Sequence, residues 1–104
     1  MAENNRHAGQ GPVVLDIGGD IGALVITMPA ALAGYEVEAR SVAGAPLTHV
    51  GVLERNCDGS MRHTAVFGEL RDGEYEFYVR PAGPVRLTAT VRGGEVCTEH
   101  WPGC

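Results

Sequence analysis

Residues Thr48–Arg80, THVGVLERNCDGSMRHTAVFGELRDGEYEFYVR, read as three consecutive strands, and the rest of the chain hangs on them. The first is Thr48–Arg55, the second Arg62–Glu69 and the third Glu74–Arg80. Asn56-Cys57-Asp58-Gly59-Ser60 joins the first two. If that turn is symmetric, Glu54 lies opposite His63 as a charge-assisted pair, and Arg55 lies beside Arg62, which is unfavourable. Asp72-Gly73 stands between the last two strands, where a tight reversal needs positive φ. The expectation is a meander, with Tyr75, Phe77 and Val79 on one face of its last strand.

C-terminal to this stretch, Pro81-Ala82-Gly83-Pro84 forbids ladder hydrogen bonds. Val85–Arg92 then alternates, with Val85, Leu87, Ala89 and Val91 facing in and Arg86, Thr88, Thr90 and Arg92 facing out. Gly93-Gly94 reads as a hairpin turn, and Glu95 to about His100 as the returning last strand. N-terminally, Gly22–Met28 is a near-continuous apolar run, expected as a central strand buried on both faces. Pro29–Gly34 has room for a single helical turn. Tyr35–Arg40 alternates, with Tyr35, Val37 and Ala39 inward and Glu36, Glu38 and Arg40 outward. Val13–Ile17 is a short strand, Gly18-Gly19-Asp20 a turn and Ser41–Pro46 a loop. Residues 1–11 show no periodicity and read as a flexible tail, which leaves 12–104 as one domain.

Seven or eight short strands without a convincing helix imply an all-β antiparallel sandwich. Within it, Phe67-Gly68-Glu69-Leu70-Arg71-Asp72-Gly73-Glu74-Tyr75-Glu76-Phe77 resembles the F-x-x-L-x-x-G-x-Y-x-F segment of prealbumin-like domains. These include carboxypeptidase-regulatory-like and collagen-adhesin B-type modules. The resemblance implies that Leu70 and Tyr75 enter the core and that Gly73 makes the reversal. It says little about function, because such folds host many. The segment Val14–Val25 also resembles the opening of small uncharacterised actinobacterial proteins, from which no activity carries over. The 5-hydroxyisourate hydrolases share a transthyretin-like sandwich but close on Tyr-Arg-Gly-Ser. Here the last residues are Trp-Pro-Gly-Cys, so that activity is not carried over either.

Composition narrows the function classes. With 44% hydrophobic and 20% charged residues, the 104-residue chain is of ordinary globular type. A net charge of −5, with eight Arg spread singly and no Lys, argues against nucleic acid and anionic lipid. The first ten residues lack a signal peptide's apolar core, and no apolar run reaches the ~20 residues of a spanning helix. The expectation is a cytoplasmic protein with no membrane contact.

Chemistry concentrates at the C-terminus, in Cys97-x2-His100-x3-Cys104. Thiolate and imidazole are ligand types that zinc or cuprous ion prefers, with Cys57, His49 or His63 as a fourth ligand. Two other readings stand beside this one: Cys97 as a small apolar strand residue near a frayed end, and a Cys97–Cys104 disulfide in an oxidising environment. Asp16 and Asp20 flank Gly18-Gly19 and could hold a hard cation, although Asp beside Gly is also ordinary turn chemistry. The serines, Ser41 and Ser60, lie in no G-x-S-x-G elbow. The leading expectation is therefore a non-catalytic binding or accessory module, acting on a protein partner or as a homo-oligomer, with Trp101 as a surface anchor. A zinc or copper protein using Cys97, His100, Cys104 and Cys57 is the second reading. An enzyme built around His49 and His63 is the third.

Overall fold

The computed structural model describes residues 17–44 and 47–103. Eight strands form among the described residues: β1 (Ile21–Met28), β2 (Glu36–Ser41), β3 (Thr48–Gly51), β4 (Leu53–Cys57), β5 (Ser60–Arg71), β6 (Gly73–Val79), β7 (Val85–Val91) and β8 (Val96–His100). They make two four-stranded sheets, ordered β4-β5-β1-β8 and β3-β2-β6-β7. Pairing is antiparallel except for β1 with β8, which is parallel. The all-β sandwich expectation holds. Its helical content among the described residues is one 3-10 turn, Ala30–Leu32, held between Pro29 and Gly34. The expected tail 1–11 and residues 13–16 of the expected first strand lie outside the described residues.

The meander expectation fails in an informative way. Thr48–Arg55 is two strands, because the chain leaves one sheet at Gly51 and enters the other at Leu53. Val52 makes the crossing with its side chain 1% exposed. Its N–H donates to Tyr35 O at 2.8 Å and its carbonyl accepts from Gly34 N at 2.9 Å. Asp72-Gly73 is likewise no hairpin: β5 pairs with β1 and β4, whereas β6 pairs with β2 and β7. Gly73 does take positive φ, 143°, but it turns the chain into an arch between sheets. Gly93-Gly94 begins a third arch, since β8 joins β1 and not β7. An arch and a hairpin leave the same in-out alternation on the strands they join. Period two therefore reports facing, and says nothing of which strand is the neighbour.

Alternation also breaks where a strand carries an extra residue. In β5 the register passes from Leu70↔Gly22 to Phe67↔Leu24, so Gly68 and Glu69 together face Ala23. This bulge lets two residues three apart, Phe67 at 2% and Leu70 at 5% exposure, point into the core. The F-x-x-L spacing thus has a mechanical cause. In β7 the register passes from Leu87↔Phe77 to Val85↔Tyr78, which turns Val85 to the outer face at 38% exposure rather than inward. Tyr35, also expected inside, precedes β2 and is exposed.

The core joins Leu24, Ile26, Met28, Val37, Ala39, Val52, Phe67, Leu70, Tyr75, Phe77 and Val91. Full burial of each large apolar side chain contributes roughly 1.5–3 kcal/mol. Phe67 from one sheet meets Phe77 from the other with ring centroids 5.4 Å apart at 59°, a tilted contact that suits the ring quadrupoles. Val25 and Thr27 are half-buried, so β1 is central in its sheet but covered fully on one face. Trp101 is 2% exposed and belongs to this core. Its N–H donates to Thr27 O at 2.8 Å, which extends the β8 ladder past His100. The expectation of a surface anchor at Trp101 is therefore corrected: the indole closes the sandwich.

Candidate interaction surfaces

Of the residues singled out for metal, the described ones do not converge. Cys97 pairs with Leu24 in register and packs against the core, whereas His100 pairs with Thr27 on the opposite face of β8. Three positions along a strand produce that divergence. Cys57 ends β4 at the far edge of the same sheet. Three strand spacings separate it from β8, roughly 14 Å. Cys104 lies outside the described residues. Among the described residues no group of three His, Cys, Asp or Glu side chains could hold a metal ion. Asp16 also lies outside them, and the Asp20 carboxylate already accepts from Arg71 Nη1 at 2.6 Å.

The two strand histidines stand in different sheets. His63 on β5 sits opposite Glu54, as the symmetric turn requires, and on its other side opposite Met28 of β1. His49 on β3 sits opposite Glu38, with its Nε2 3.8 Å from Glu36 Oε1. The second sheet's outer face is a ladder of paired charges around that histidine. Arg80 Nη1 donates to Glu36 Oε1 at 2.7 Å, and Arg40 Nη2 to Glu76 Oε1 at 2.7 Å. Tyr78 Oη donates to Glu38 Oε1 at 3.0 Å beneath the Arg40 guanidinium, which lies 5.4 Å from the ring centroid. Desolvation, then the bond to Glu38, raises the Tyr78 phenol above its ordinary pKa. The bond to Glu76 raises that of Arg40. The partners come from neighbouring strands and, for Arg80, from the residue that follows β6, so alternate charged and tyrosine positions along the β2–β6 pair suffice to build the ladder.

The outer face of the first sheet is different. Arg55 lies directly opposite Arg62 and turns away from it, its Nη1 donating to Thr64 O and Oγ1, both at 2.8 Å. No carboxylate joins it among the described ion pairs. Its Nε is buried without a partner, and desolvation lowers its pKa.

An opening lies between the sheets on the β7/β8 side. β7 and β8 are edge strands of their respective sheets. Between them runs a groove of about 560 Å³ lined by residues 88–90 of β7 and 95–99 of the arch and β8. Sequence reading missed it because it took these two strands for a hydrogen-bonded pair. No residue type marks it; only the sheet order does. In comparisons with known proteins, no family model, no curated protein and no solved structure matches the chain. Fold and surface together define a small all-β sandwich compatible with a non-catalytic interaction module.

Proposed function

We propose that this protein is a non-catalytic β-sandwich module that works by protein–protein contact along its β7/β8 side. The groove between two neighbouring edges carries the reading. Each edge offers a row of backbone N–H and C=O groups with no strand beside it among the described residues, and such rows recruit a further strand. The opposite outer face offers less, because its charges are already paired with one another. Burial of both Leu70 and Tyr75 supports a prealbumin-like affiliation for the scaffold, as the F-x-x-L-x-x-G-x-Y-x-F resemblance implies.

The test is site-specific photocrosslinking in the source cell. A crosslinker replacing Thr88 or Thr98, both lining the groove, is expected to give adducts of defined mass. The same group at Arg62, on the far hairpin, is expected to give none. Absence of adducts at both groove positions overturns the reading.

A further inference from the structure

Resting on that reading, we infer that the partner at the β7 edge is a second copy of this chain. The two β7 strands would pair antiparallel about a two-fold axis through Thr88. The edge is seven residues long and ends before Arg92. It lacks the devices that guard an edge against pairing along most of its length: no Pro interrupts it, and the chain has no Lys to place on it. Its irregularity, the extra residue at Arg86, sits at one end. The five residues from Arg86 to Thr90 are free to form a ladder.

Charge selects the register. Centring the axis on Ala89 sets Arg86 opposite the second copy's Arg92, twice, and like charges directly opposed are destabilising. Centring it further toward the N-terminus moves the Arg86 bulge from the end of the ladder toward its middle. Centring it on Thr88 sets Thr88 against itself, Leu87 against Ala89 on the core side and Arg86 against Thr90 on the outer face. β-Branched and hydroxyl pairs of this kind are favourable across strands. On the other side of Thr90 in the same sheet stands Glu74. Two strand spacings, roughly 10 Å, then separate the Cα atoms of Glu74 and the second copy's Arg86, and the two long side chains span that gap. Neither Arg86 nor Glu74 has an ion-pair partner among the described residues, unlike the charges of β2 and the rest of β6. Half-buried Leu87, whose inner neighbour is Phe77, would be covered in the process. The outcome is one continuous eight-stranded sheet, closed by symmetry at the β7 edge so that no further copy adds there.

Sedimentation equilibrium on the full chain tests this. Wild type is expected to show a concentration-dependent monomer–dimer equilibrium. Thr88→Lys and Thr88→Glu, at an exposed position, are each expected to weaken it about tenfold, because each sets like charges on the axis. An equimolar mixture of the two variants is expected to recover the dimer as a heterodimer. That recovery belongs to a position that meets itself, and misfolding of either variant would abolish it. A wild type that is monomeric at millimolar concentration overturns the proposal. So does a dimer indifferent to both substitutions, or a mixture no tighter than either variant alone. These outcomes leave the groove reading standing, since photocrosslinking to a different protein would still register.

Discussion

The two long sides of the sandwich are built from the same kind of strand and finish differently. On the β3/β4 side the chain passes from sheet to sheet through one buried residue, Val52, and ties the crossing to Gly34 and Tyr35, just after the 3-10 turn, with two backbone hydrogen bonds. On the β7/β8 side the passage takes residues 92–95 and is clamped only at one end. Gly94 N donates there to Ile21 O, and Ala23 N to Glu95 O. Beyond the clamp the edges part and leave the groove. A side crossed through one buried, twice-bonded residue and a side pinned only at one end place stability on one flank and access on the other.

The glycines of the two sides give the sharpest way to break this comparison. At Gly93 an added Cβ would sit 2.3 Å from Gly19 O and 2.8 Å from Asp20 Cα, both backbone atoms that cannot swing aside. At Gly51 the nearest atom would be Leu53 Cδ2 at 3.9 Å, an ordinary contact. Gly93→Ala is expected to lower unfolding free energy by about 3 kcal/mol or more, or to prevent folding. Gly51→Ala is expected to fall within about 0.5 kcal/mol of wild type. Urea titration of the pair decides it, and equal losses would show that the clamp is not where the backbones crowd.

A middle-sized effect sits at the Asp72 arch, which joins the two sheets at one end of the molecule. Tyr75 is 4% exposed and its hydroxyl donates to Arg71 O at 2.6 Å. Burial, the largest influence, raises its pKa above the ordinary value; the Arg71 charge opposes and the Asp72 charge assists. Tyr75→Phe is expected to cost about 1 kcal/mol at neutral pH through the lost hydrogen bond. The pH dependence runs one way. A phenol that holds its proton more tightly when folded contributes stability in full below its unfolded value, about 10. That contribution is lost as pH climbs through the raised folded value. Wild type is therefore expected to lose more stability above about pH 10 than the phenylalanine variant does. Parallel thermal melts of the two proteins across that range would refute the assignment if the curves keep a constant separation.

Facing was legible in the residues and pairing was not. Val37 and Ala39, Tyr75 and Phe77, and Ala89 and Val91 all lie inside, as alternation required. The symmetric Asn56–Ser60 turn placed Glu54 opposite His63 because a hairpin's register follows from its loop length. The three arches escape the sequence for two reasons: Val52, β-branched, reads as the interior of a strand, and Asp72-Gly73 and Gly93-Gly94 carry the chemistry of a reversal without the hydrogen bonds of one. Val85 failed for a local reason, the extra residue beside it. The groove was invisible because it lies between strands read as partners. The charge ladder is half visible: alternation puts Glu36, Glu38 and Arg40 on one face, but Tyr78 and Arg80 reach the two glutamates, and Arg40 reaches Glu76, through the β2–β6 pairing.

The smallest expected effect probes the β3/β4 side. Arg55 and Arg62 oppose each other across β4 and β5, and the Arg55 side chain leans onto Thr64. Arg62 is exposed and has no hydrogen bond among the described residues, so replacing it disturbs no packing. Arg62→Glu turns a like-charge pair into an opposite one and leaves Arg55's bonds to Thr64 in place. A gain of about 0.5 kcal/mol is expected at low salt, shrinking as salt screens the pair. Urea midpoints at low and high ionic strength measure both quantities. A loss of stability would mean that Arg62 already serves an acceptor on that face, and the electrostatic contrast between the two outer faces would have to be redrawn.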